Sequence, residues 1–233
     1  MGWLPEAAST FADSIDGIFY LILAITGVIF VGVEAVLLWF AVKYRHREGR
    51  KAYHTHGNIR VEVVWTALPA VLVVLIGVLS IRPWLHIRSP DSIPPEAYAV
   101  DMTAKQFEWN ASYVGPDGAM GTDDDVTQRN QLHIPVGRPV VVMLRSEDVI
   151  HSFFLPEFRV KQDAVPGMET AVWFQATRTG EFNLACAELC GTGHTRMGGR
   201  VIVYSADDFD AWLLAEGAGP PLGARLASST DQP

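Results

Sequence analysis

The stretch CAELCGTGHTRM, residues 186–197, holds both cysteines of the chain and decides how the remaining sequence is interpreted. Within twelve positions it supplies two thiols, an imidazole and a thioether, from Cys186, Cys190, His194 and Met197. Soft sulfur donors combined with imidazole select copper or zinc over hard cations. The short spacings between these donors fit one tight loop folded around a centre. Gly191, Gly193 and Gly198, the last just after the stretch, would let the backbone make that turn. The stretch therefore predicts a transition-metal site.

Two interpretations of this loop leave some of its donors without a role. A disulfide between Cys186 and Cys190 suits an oxidising compartment, but it gives no role to His194 and Met197. Zinc would use both cysteines, His194 and one further histidine, and His151 lies 35 residues before Cys186. However, zinc has little use for a weak thioether at the end of the loop.

Copper accounts for more of the donors. A single copper bound by two histidines, one cysteine and Met197 would leave the second cysteine unused. Two coppers bridged by both thiolates would use every donor, with one histidine on each metal and Met197 on one of them. The backbone carbonyl of Glu188, between the cysteines, can supply the remaining weak ligand. A rigid pair of metals sharing one electron suits fast electron transfer, so we favour two coppers.

The apolar residues, part of a 49% hydrophobic composition, are concentrated in two N-terminal runs. The runs 15–42 and 61–85 are each long enough to span a bilayer. The link between them, 43–60, carries six Lys/Arg against one acid, so the positive-inside rule places it in the cytoplasm. We therefore expect an external segment over 1–14 and a two-span hairpin over 15–86, with both termini outside.

Beyond the second run, the sequence carries more acidic than basic residues, and its apolar residues occur in short runs. From position 84 onward there are 20 acids and 11 bases, which excludes nucleic-acid binding and favours a basic protein partner. Short apolar runs broken by Gly and Pro predict a β-sandwich or barrel over 87–216, with an irregular tail over 217–233. We expect strands at 99–113, 130–134, 139–145, 169–177, 180–185 and 199–204, then a short helix after Ser205.

Two acidic features, Glu34 and the loop 115–125, can each be explained either by a structural role or by a functional one. Glu34 lies deep in the first span, where a carboxylate is costly unless it faces protein or water. We interpret it as hydrogen-bonded against a partner helix, with proton handling as the alternative. The loop 115–125 is rich in Gly and Asp but does not fit the EF-hand ligand pattern, so we interpret it as solvated rather than as a calcium site.

The combined pattern closely resembles subunit II of the haem–copper cytochrome c oxidases, over nearly the whole chain. The resemblance is carried by HGN…VEVVWTALP (56–69), KQFEW (105–109), EDVIHSFFLPEFRVKQDAVPGM (147–168) and CAELCGTGHTRM (186–197), of which the last two are highly specific. It implies a membrane α + β protein, a two-helix transmembrane hairpin followed by a cupredoxin-like Greek-key β-barrel with a dinuclear copper centre. The implied copper ligands are His151, Cys186, Glu188 through its backbone carbonyl, Cys190, His194 and Met197.

The resemblance also implies roles for residues outside the copper ligands. The Glu188 side chain would bind a magnesium ion shared with subunit I, since a carboxylate suits Mg²⁺. Glu62, at the cytoplasmic end of the second span, matches an acid near the mouth of a proton-uptake path into subunit I. The alternative is an acid that interacts with the helix dipole. Lys161 and Asp163 would lie beside the copper and magnesium centres.

One departure from the family concerns electron input. The family commonly has a tryptophan in a sequence such as QWYW, whereas this chain has Phe107 at the aligned position and Trp109 two residues on. If both lie on one strand they share a face, and either could lie beneath a docked donor. Of the two, we favour Trp109.

The function implied is that of the electron-input subunit of a proton-pumping cytochrome c oxidase. Reduced cytochrome c would dock on acids that include Glu147, Asp148 and the 123–125 group, and electrons would pass through the dinuclear copper to haem in subunit I, which reduces O₂ to water. Subunit I and further oxidase subunits are the expected partners in an inner or cell membrane, with the copper domain on the periplasmic or extracellular side. The sequence has no C-x-x-C-H, so the haem donor must be a separate protein.

Two rival functions fit the sequence less well. A quinol-oxidising subunit II lacks the copper ligands. A membrane-anchored copper carrier or redox sensor needs only one span and has no use for Glu62.

Overall fold

The computed structural model describes residues 3–51 and 53–217 and divides the chain into two units. One unit, Asp16–Pro83, holds most of two long helices, and the other combines the N-terminal residues through Ile15 with the chain from Trp84 onward. The irregular tail predicted for 217–233 lies, apart from Gly217, outside the described residues.

The two apolar runs form helices α1 (Ala12–Lys43) and α2 (Ile59–Arg88), both long and apolar enough to cross a membrane. Helix α2 begins after Asn58, whose Oδ1 accepts a hydrogen bond of 3.0 Å from the backbone N–H of Arg60. Asparagine is a favourable residue at this position because it satisfies a backbone donor that the helix leaves unpaired.

The remaining chain forms ten strands in two five-stranded sheets. The strands are β1 (Tyr98–Lys105), β2 (Glu108–Tyr113), β3 (Val126–Arg129), β4 (Gln131–Pro135), β5 (Pro139–Ser146), β6 (His151–Leu155), β7 (Val160–Ala164), β8 (Thr170–Gln175), β9 (Gly180–Cys186) and β10 (Gly198–Tyr204). One sheet has the order β3-β2-β1-β5-β8 and the other β4-β10-β9-β6-β7. The β1–β5 and β4–β10 pairs are parallel, and the other pairs are antiparallel.

Alternation of side chains along the strands builds the core between the sheets. On β1 every second residue from Tyr98 to Ala104 is buried, and on β2 Trp109, Ala111 and Tyr113 are buried. A strand with this period of two has one face in the core and one outside it. The predicted architecture of two apolar helices followed by a β-domain is confirmed.

Helix α3 (Ala206–Glu216) follows β10, as predicted. It begins at Ser205, whose hydroxyl accepts from the backbone N–H of Asp208, and ends at Gly217 in the left-handed conformation. Its Trp212 ring stacks on His133 of β4, with the ring centroids 4.2 Å apart and the planes nearly parallel.

The N-terminal segment packs onto the β-domain. Ala8 donates its N–H to the carbonyl of Glu157 at 2.8 Å, and its own carbonyl accepts from the N–H of Thr177 at 3.0 Å. The ring of Phe11 meets that of Trp173 edge-on at 4.7 Å and is almost fully buried. The segment before α1 is therefore part of the fold of the β-unit.

Three strands differ from the sequence prediction. β3 has the mostly polar sequence VTQR, which shows no apolar alternation. β6 and β7 lie in the motif 147–168, where prolines interrupt short runs of mixed polarity. Each of the three is stabilised by pairing with a neighbouring strand, which a local pattern does not reveal.

Candidate metal centre

Strand pairing brings His151 to the cysteine-rich loop. β6 pairs with β9, so that Phe153 lies opposite Cys186 and His151, two residues earlier, begins the strand beside the loop. At the base of the loop, the N–H of Cys186 donates to the carbonyl of Met197 at 3.1 Å. The loop 187–197 is thus closed on itself between β9 and β10, and Cys186 at its base contacts His151.

The six predicted ligand positions form one connected set of donor atoms. Cys186 Sγ lies 3.8 Å from Cys190 Sγ, 3.9 Å from His151 Nδ1 and 3.2 Å from the carbonyl oxygen of Glu188. Cys190 Sγ lies 3.7 Å from His194 Nδ1 and 3.6 Å from Met197 Sδ. Ligand atoms lie about 2.0–2.3 Å from a tetrahedral metal ion, which places two of them about 3.3–3.8 Å from each other. Most of the separations given above therefore fit neighbouring ligands on a shared metal.

The donors do not converge on a single point. In the described part of the chain, His151, Cys186 and Cys190 form a group of donor atoms within 4.8 Å of one another, and His194 is not a member of it. His194 instead contacts Cys190 from its own side. The two imidazoles therefore contact different sulfurs of the pair.

Four of the six ligand positions are buried, whereas His194 is partly exposed and Glu188 is exposed, and both cysteines are free thiols. His151 is fully buried, Cys190 and Met197 are each 3% exposed, and Cys186 is 9% exposed. Burial, together with the neighbouring Cys186, raises the pKa of Cys190 to about 11. Because metals bind the thiolate, metal binding here must displace a proton.

One carboxylate, that of Asp148, links the buried histidine to the turn between β1 and β2. In the tautomer that leaves Nδ1 of His151 facing the cysteines, its Nε2–H donates to Asp148 Oδ1 at 2.8 Å. Asp148 Oδ2 accepts the backbone N–H of Gln106 at 2.7 Å, and the Gln106 side-chain amide donates to the carbonyl of Cys190 at 2.5 Å. Partial burial acts to raise the pKa of Asp148, but these hydrogen bonds outweigh it and hold that pKa below its usual range.

Phe107 and Trp109 occupy different positions around the centre. Gln106 and Phe107 form the turn between β1 and β2, whereas Trp109 lies on β2. The expectation that Phe107 and Trp109 share one face of a strand is therefore wrong. Phe107 is half-buried against the loop, where a Cβ added to Gly193 would lie 2.4 Å from its ring. Trp109 is fully buried, with its indole 6.1 Å from the His151 ring. This burial argues against the preference for Trp109 as the residue beneath a donor.

Comparison with known proteins matches both units to one family. The family model described as cytochrome c oxidase subunit II, transmembrane domain, matches residues 1–82, and the model of the periplasmic domain matches residues 101–205. The alternative cytochrome c oxidase subunit 2 of Bradyrhizobium diazoefficiens is 33% identical, over 97% of this chain and 87% of the relative. The chain belongs to the cytochrome c oxidase subunit II family.

Other subunit II proteins show similar agreement. The cytochrome c oxidase subunit 2 of Thermostichus vulcanus is 32% identical over 91% of this chain and 77% of its own length. A crystal structure of the periplasmic domain of cytochrome oxidase subunit II from Bradyrhizobium japonicum covers 53% of this chain and 96% of that domain, at 30% identity and a TM-score of 0.44. By the family models, the β-unit corresponds to the family's cupredoxin-like periplasmic domain and the two long helices to its transmembrane domain.

The predicted magnesium residue is exposed. Glu188 is an exposed residue whose carbonyl oxygen contacts Cys186 Sγ. Across residues 3–51 and 53–217, no group of three or more His, Cys, Asp or Glu donors includes Glu188. A magnesium ion at this carboxylate would need ligands from another chain of the oxidase.

Asp163 and Lys161 form a polar cluster on β7, next to the ligand strand. Asp163 Oδ1 accepts from the hydroxyl of buried Ser152 at 2.6 Å and from Lys161 Nζ at 3.0 Å. These hydrogen bonds lower the pKa of Asp163. Since Ser152 follows His151 directly, the cluster holds β7 beside the metal centre.

The other predicted acids lie elsewhere in this subunit II. Glu62 is in the first turn of α2, and Glu34 is on α1, both outside the β-unit. In the loop 115–125, Asp124 and Asp125 accept hydrogen bonds from backbone N–H groups of their own loop. These bonds close the loop.

Sequence reasoning did not assign a supporting role to Asp148 and Gln106. A usable signal was present, since an acid three residues before a buried histidine can reach the imidazole nitrogen that does not bind metal. No such signal existed for Gln106, which reaches Cys190 across 84 positions of sequence.

Proposed function

We propose that this subunit II is the electron-input subunit of a proton-pumping oxidase, receiving electrons from reduced cytochrome c at a dinuclear copper centre. The ligands proposed are His151, Cys186, the Glu188 carbonyl, Cys190, His194 and Met197. The observation that supports the proposal is that each of two imidazoles contacts a different cysteine of a free thiol pair. A disulfide would consume the thiols, and a single ion bound by two histidines, one cysteine and Met197 would leave the second cysteine unused.

The donor chemistry fits copper better than zinc. Thiolate, imidazole and thioether donors in a buried pocket are the set that copper electron-transfer sites use. When bound, two coppers sharing both thiolates would supply a one-electron relay between the donor and haem in subunit I, where O₂ is reduced to water. Asp148 fixes the orientation of His151, and the closed loop between β9 and β10 holds the thiolates. Little rearrangement is then needed when the charge of the site changes.

The surface around the centre suits a docked protein. Leu189, beside the ligand Cys190, is 76% exposed, and Ile150, just before His151, is 45% exposed. We infer that these side chains belong to one docking patch, since contiguous exposed apolar patches mark interaction sites. Glu147 supplies an exposed negative charge next to them, and Phe107 covers the loop from the β1–β2 turn. We place electron input at Phe107.

The remaining proposed roles concern the partner subunits. Glu188 would contribute its carboxylate to a magnesium ion held together with subunit I. Glu62 would take up protons at the cytoplasmic end of α2 for subunit I. Haem belongs to the partner subunit, and the periplasmic domain with both termini would face the outer side of the membrane.

The deciding experiment is metal analysis with electron paramagnetic resonance of the purified oxidase. We expect about two coppers per subunit II sharing one unpaired electron. Cys190→Ser should abolish the near-infrared copper absorption and cytochrome c oxidation. Thr192→Ala, an exposed position of the same loop, should change neither. Zinc in the site, or full activity of the Cys190→Ser variant, would overturn the proposal.

A further inference from the structure

The loop between α1 and α2 forms a concave basic surface that the metal centre does not use. A cavity of about 580 Å³ lies within residues 44–55. Four cationic side chains line it, Arg45, Arg47, Arg50 and Lys51, together with the aromatic rings of Tyr44 and Tyr53. We call this the basic cavity. Since one membrane span, α2, separates it from the periplasmic domain in sequence, the cavity belongs to the opposite side of the membrane.

A turn returns the chain toward the end of α1 and so creates the cavity. The N–H of Arg50 donates to the carbonyl of Arg47 at 3.2 Å, and Gly49, at a φ of 78°, takes a conformation that favours glycine. The Arg50 guanidinium then donates to the carbonyl of Lys43 at 3.2 Å and lies 5.5 Å from the centre of the Tyr44 ring. Arg50 is thereby fixed against the helix end.

The cations of this loop have no carboxylate partner within the described residues. Six Lys/Arg lie between positions 43 and 60 against one acid, Glu48, and in the described part of the chain none of the six forms an ion pair with an acid. Like charges brought together around a cavity repel one another unless an anion lies between them. The cavity therefore favours an anionic ligand.

The position of the loop identifies the source of that anion. The cavity residues begin directly after Lys43, the last residue of α1, and α2 starts again at Ile59. The Lys43 ammonium lies 4.2 Å from the centre of the Trp39 ring, and tryptophan and lysine commonly occur together at the lipid–water boundary. A loop this short, tethered at both ends, stays at the level of the lipid headgroups.

We propose that the basic cavity binds the phosphate of an anionic phospholipid of the cytoplasmic leaflet. Guanidinium groups match the oxygens of a phosphodiester with pairs of hydrogen bonds, and clusters of Lys/Arg next to a span are attracted to anionic lipid. A zwitterionic headgroup carries its own cation, which the four lining cations repel. The tether to two membrane helices favours lipid over a soluble phosphate.

The test uses the purified oxidase complex, depleted of lipid and titrated with short-chain dihexanoylphosphatidylglycerol. We expect saturable binding of this lipid by native mass spectrometry or calorimetry, and none of dihexanoylphosphatidylcholine. Arg45→Gln/Arg47→Gln should weaken the binding about 25-fold, about fivefold for each guanidinium. Inorganic phosphate should compete only weakly.

A matched variant distinguishes binding in the cavity from general attraction to the positive charge of the segment. Lys43→Gln/Arg60→Gln removes two charges from the same segment but none from the cavity lining, and should weaken binding several-fold less. Because loss of charge also weakens the positive-inside signal, Arg45→Lys/Arg47→Lys keeps the charge and should still bind more weakly than the parent. Equal losses in the two Gln variants, no saturable binding, or phosphate binding as tight as lipid binding would each overturn the proposal.

Discussion

The carboxylate of Asp148 touches two parts of the metal centre that are far apart in sequence. It accepts from His151 Nε2 and from the backbone of Gln106, whose side chain in turn reaches the Cys190 carbonyl. Hydrogen bonds of this kind fix the tautomer and ring orientation of a metal ligand. The buried side of the centre is therefore oriented by a residue that binds no metal.

Asp148→Asn should weaken the copper centre. An asparagine presents one oxygen and one NH₂ group, so it cannot accept from both His151 and Gln106, and one donor is left facing an amide N–H. We expect copper affinity to fall about 10–100-fold. Titration with a competing chelator, followed through the near-infrared band, measures it. Glu147→Gln removes the same charge one position away without touching His151, and its copper affinity should be unchanged.

Phe107 offers a second test at this scale. Phe107→Leu keeps an apolar group against Gly193 but removes the aromatic ring. We expect the rate constant for reduction of the centre by cytochrome c, measured by stopped flow, to fall several-fold while the near-infrared band persists. Phe107→Tyr, which keeps the ring, serves as the control. An undiminished rate in Phe107→Leu would exclude the ring from the electron route.

Among the elements, helix α3 depends on one buried histidine for its attachment to β4. His133 is 4% exposed, its Nδ1 lies 3.0 Å from the Tyr204 hydroxyl and its Nε2 lies 3.1 Å from Gln131 Oε1. The neutral ring satisfies both contacts by accepting from Tyr204 and donating to Gln131. A protonated ring would have to donate to the Tyr204 hydroxyl instead and would place a charge in the core, and burial lowers the pKa of His133 to about 4.

The stability of the β-unit should therefore fall in mild acid. The unfolded chain binds a proton at His133 near the ordinary pKa of 6.5, whereas the folded chain resists it down to about 4. Stability is then present above pH 6.5 and declines toward pH 4, by about 2 kcal/mol after allowance for solvent screening. Urea unfolding of the copper-free chain in detergent measures the loss. His133→Phe, which keeps a ring against Trp212, should reduce the pH dependence by that amount.

At the scale of the whole molecule, electron input and proton uptake are assigned to different units. The proposed copper ligands all lie in the β-unit, whereas Glu62 lies in the first turn of α2. Their variants should consequently affect different steps of turnover.

Glu62→Gln should slow steady-state O₂ consumption while leaving the first reduction of the copper centre by cytochrome c unchanged. The amide keeps the size of the side chain but cannot take up and release a proton. Oxygen electrode measurements and stopped-flow absorbance follow the two steps separately. Glu48→Gln, in the loop outside α2, should affect neither. Equal slowing of both steps would point to a structural defect rather than to proton delivery.

The sequence alone determined the features that depend on local patterns. Hydropathy and charge located the two membrane helices, because a run of twenty or so consecutive apolar residues is typical of a helix that crosses a bilayer. The metal chemistry was also local, since Cys186, Cys190, His194 and Met197 lie within one loop. Short apolar runs similarly indicated strands at 99–113, which the fold divides into β1 and β2, and at 139–145, within β5.

Only the tertiary structure decided what depends on contacts between distant residues. The pairing of β6 with β9 brings His151 to Cys186, and the β1–β2 turn brings Gln106 and Phe107 onto the loop. Packing of the sheets also buries Trp109, and backbone hydrogen bonds attach the N-terminal segment to the β-domain. These contacts arise from strand register and core packing across the whole domain. They cannot be predicted from a local sequence pattern, because each residue's contacts depend on how the whole domain folds and not on its neighbours in sequence.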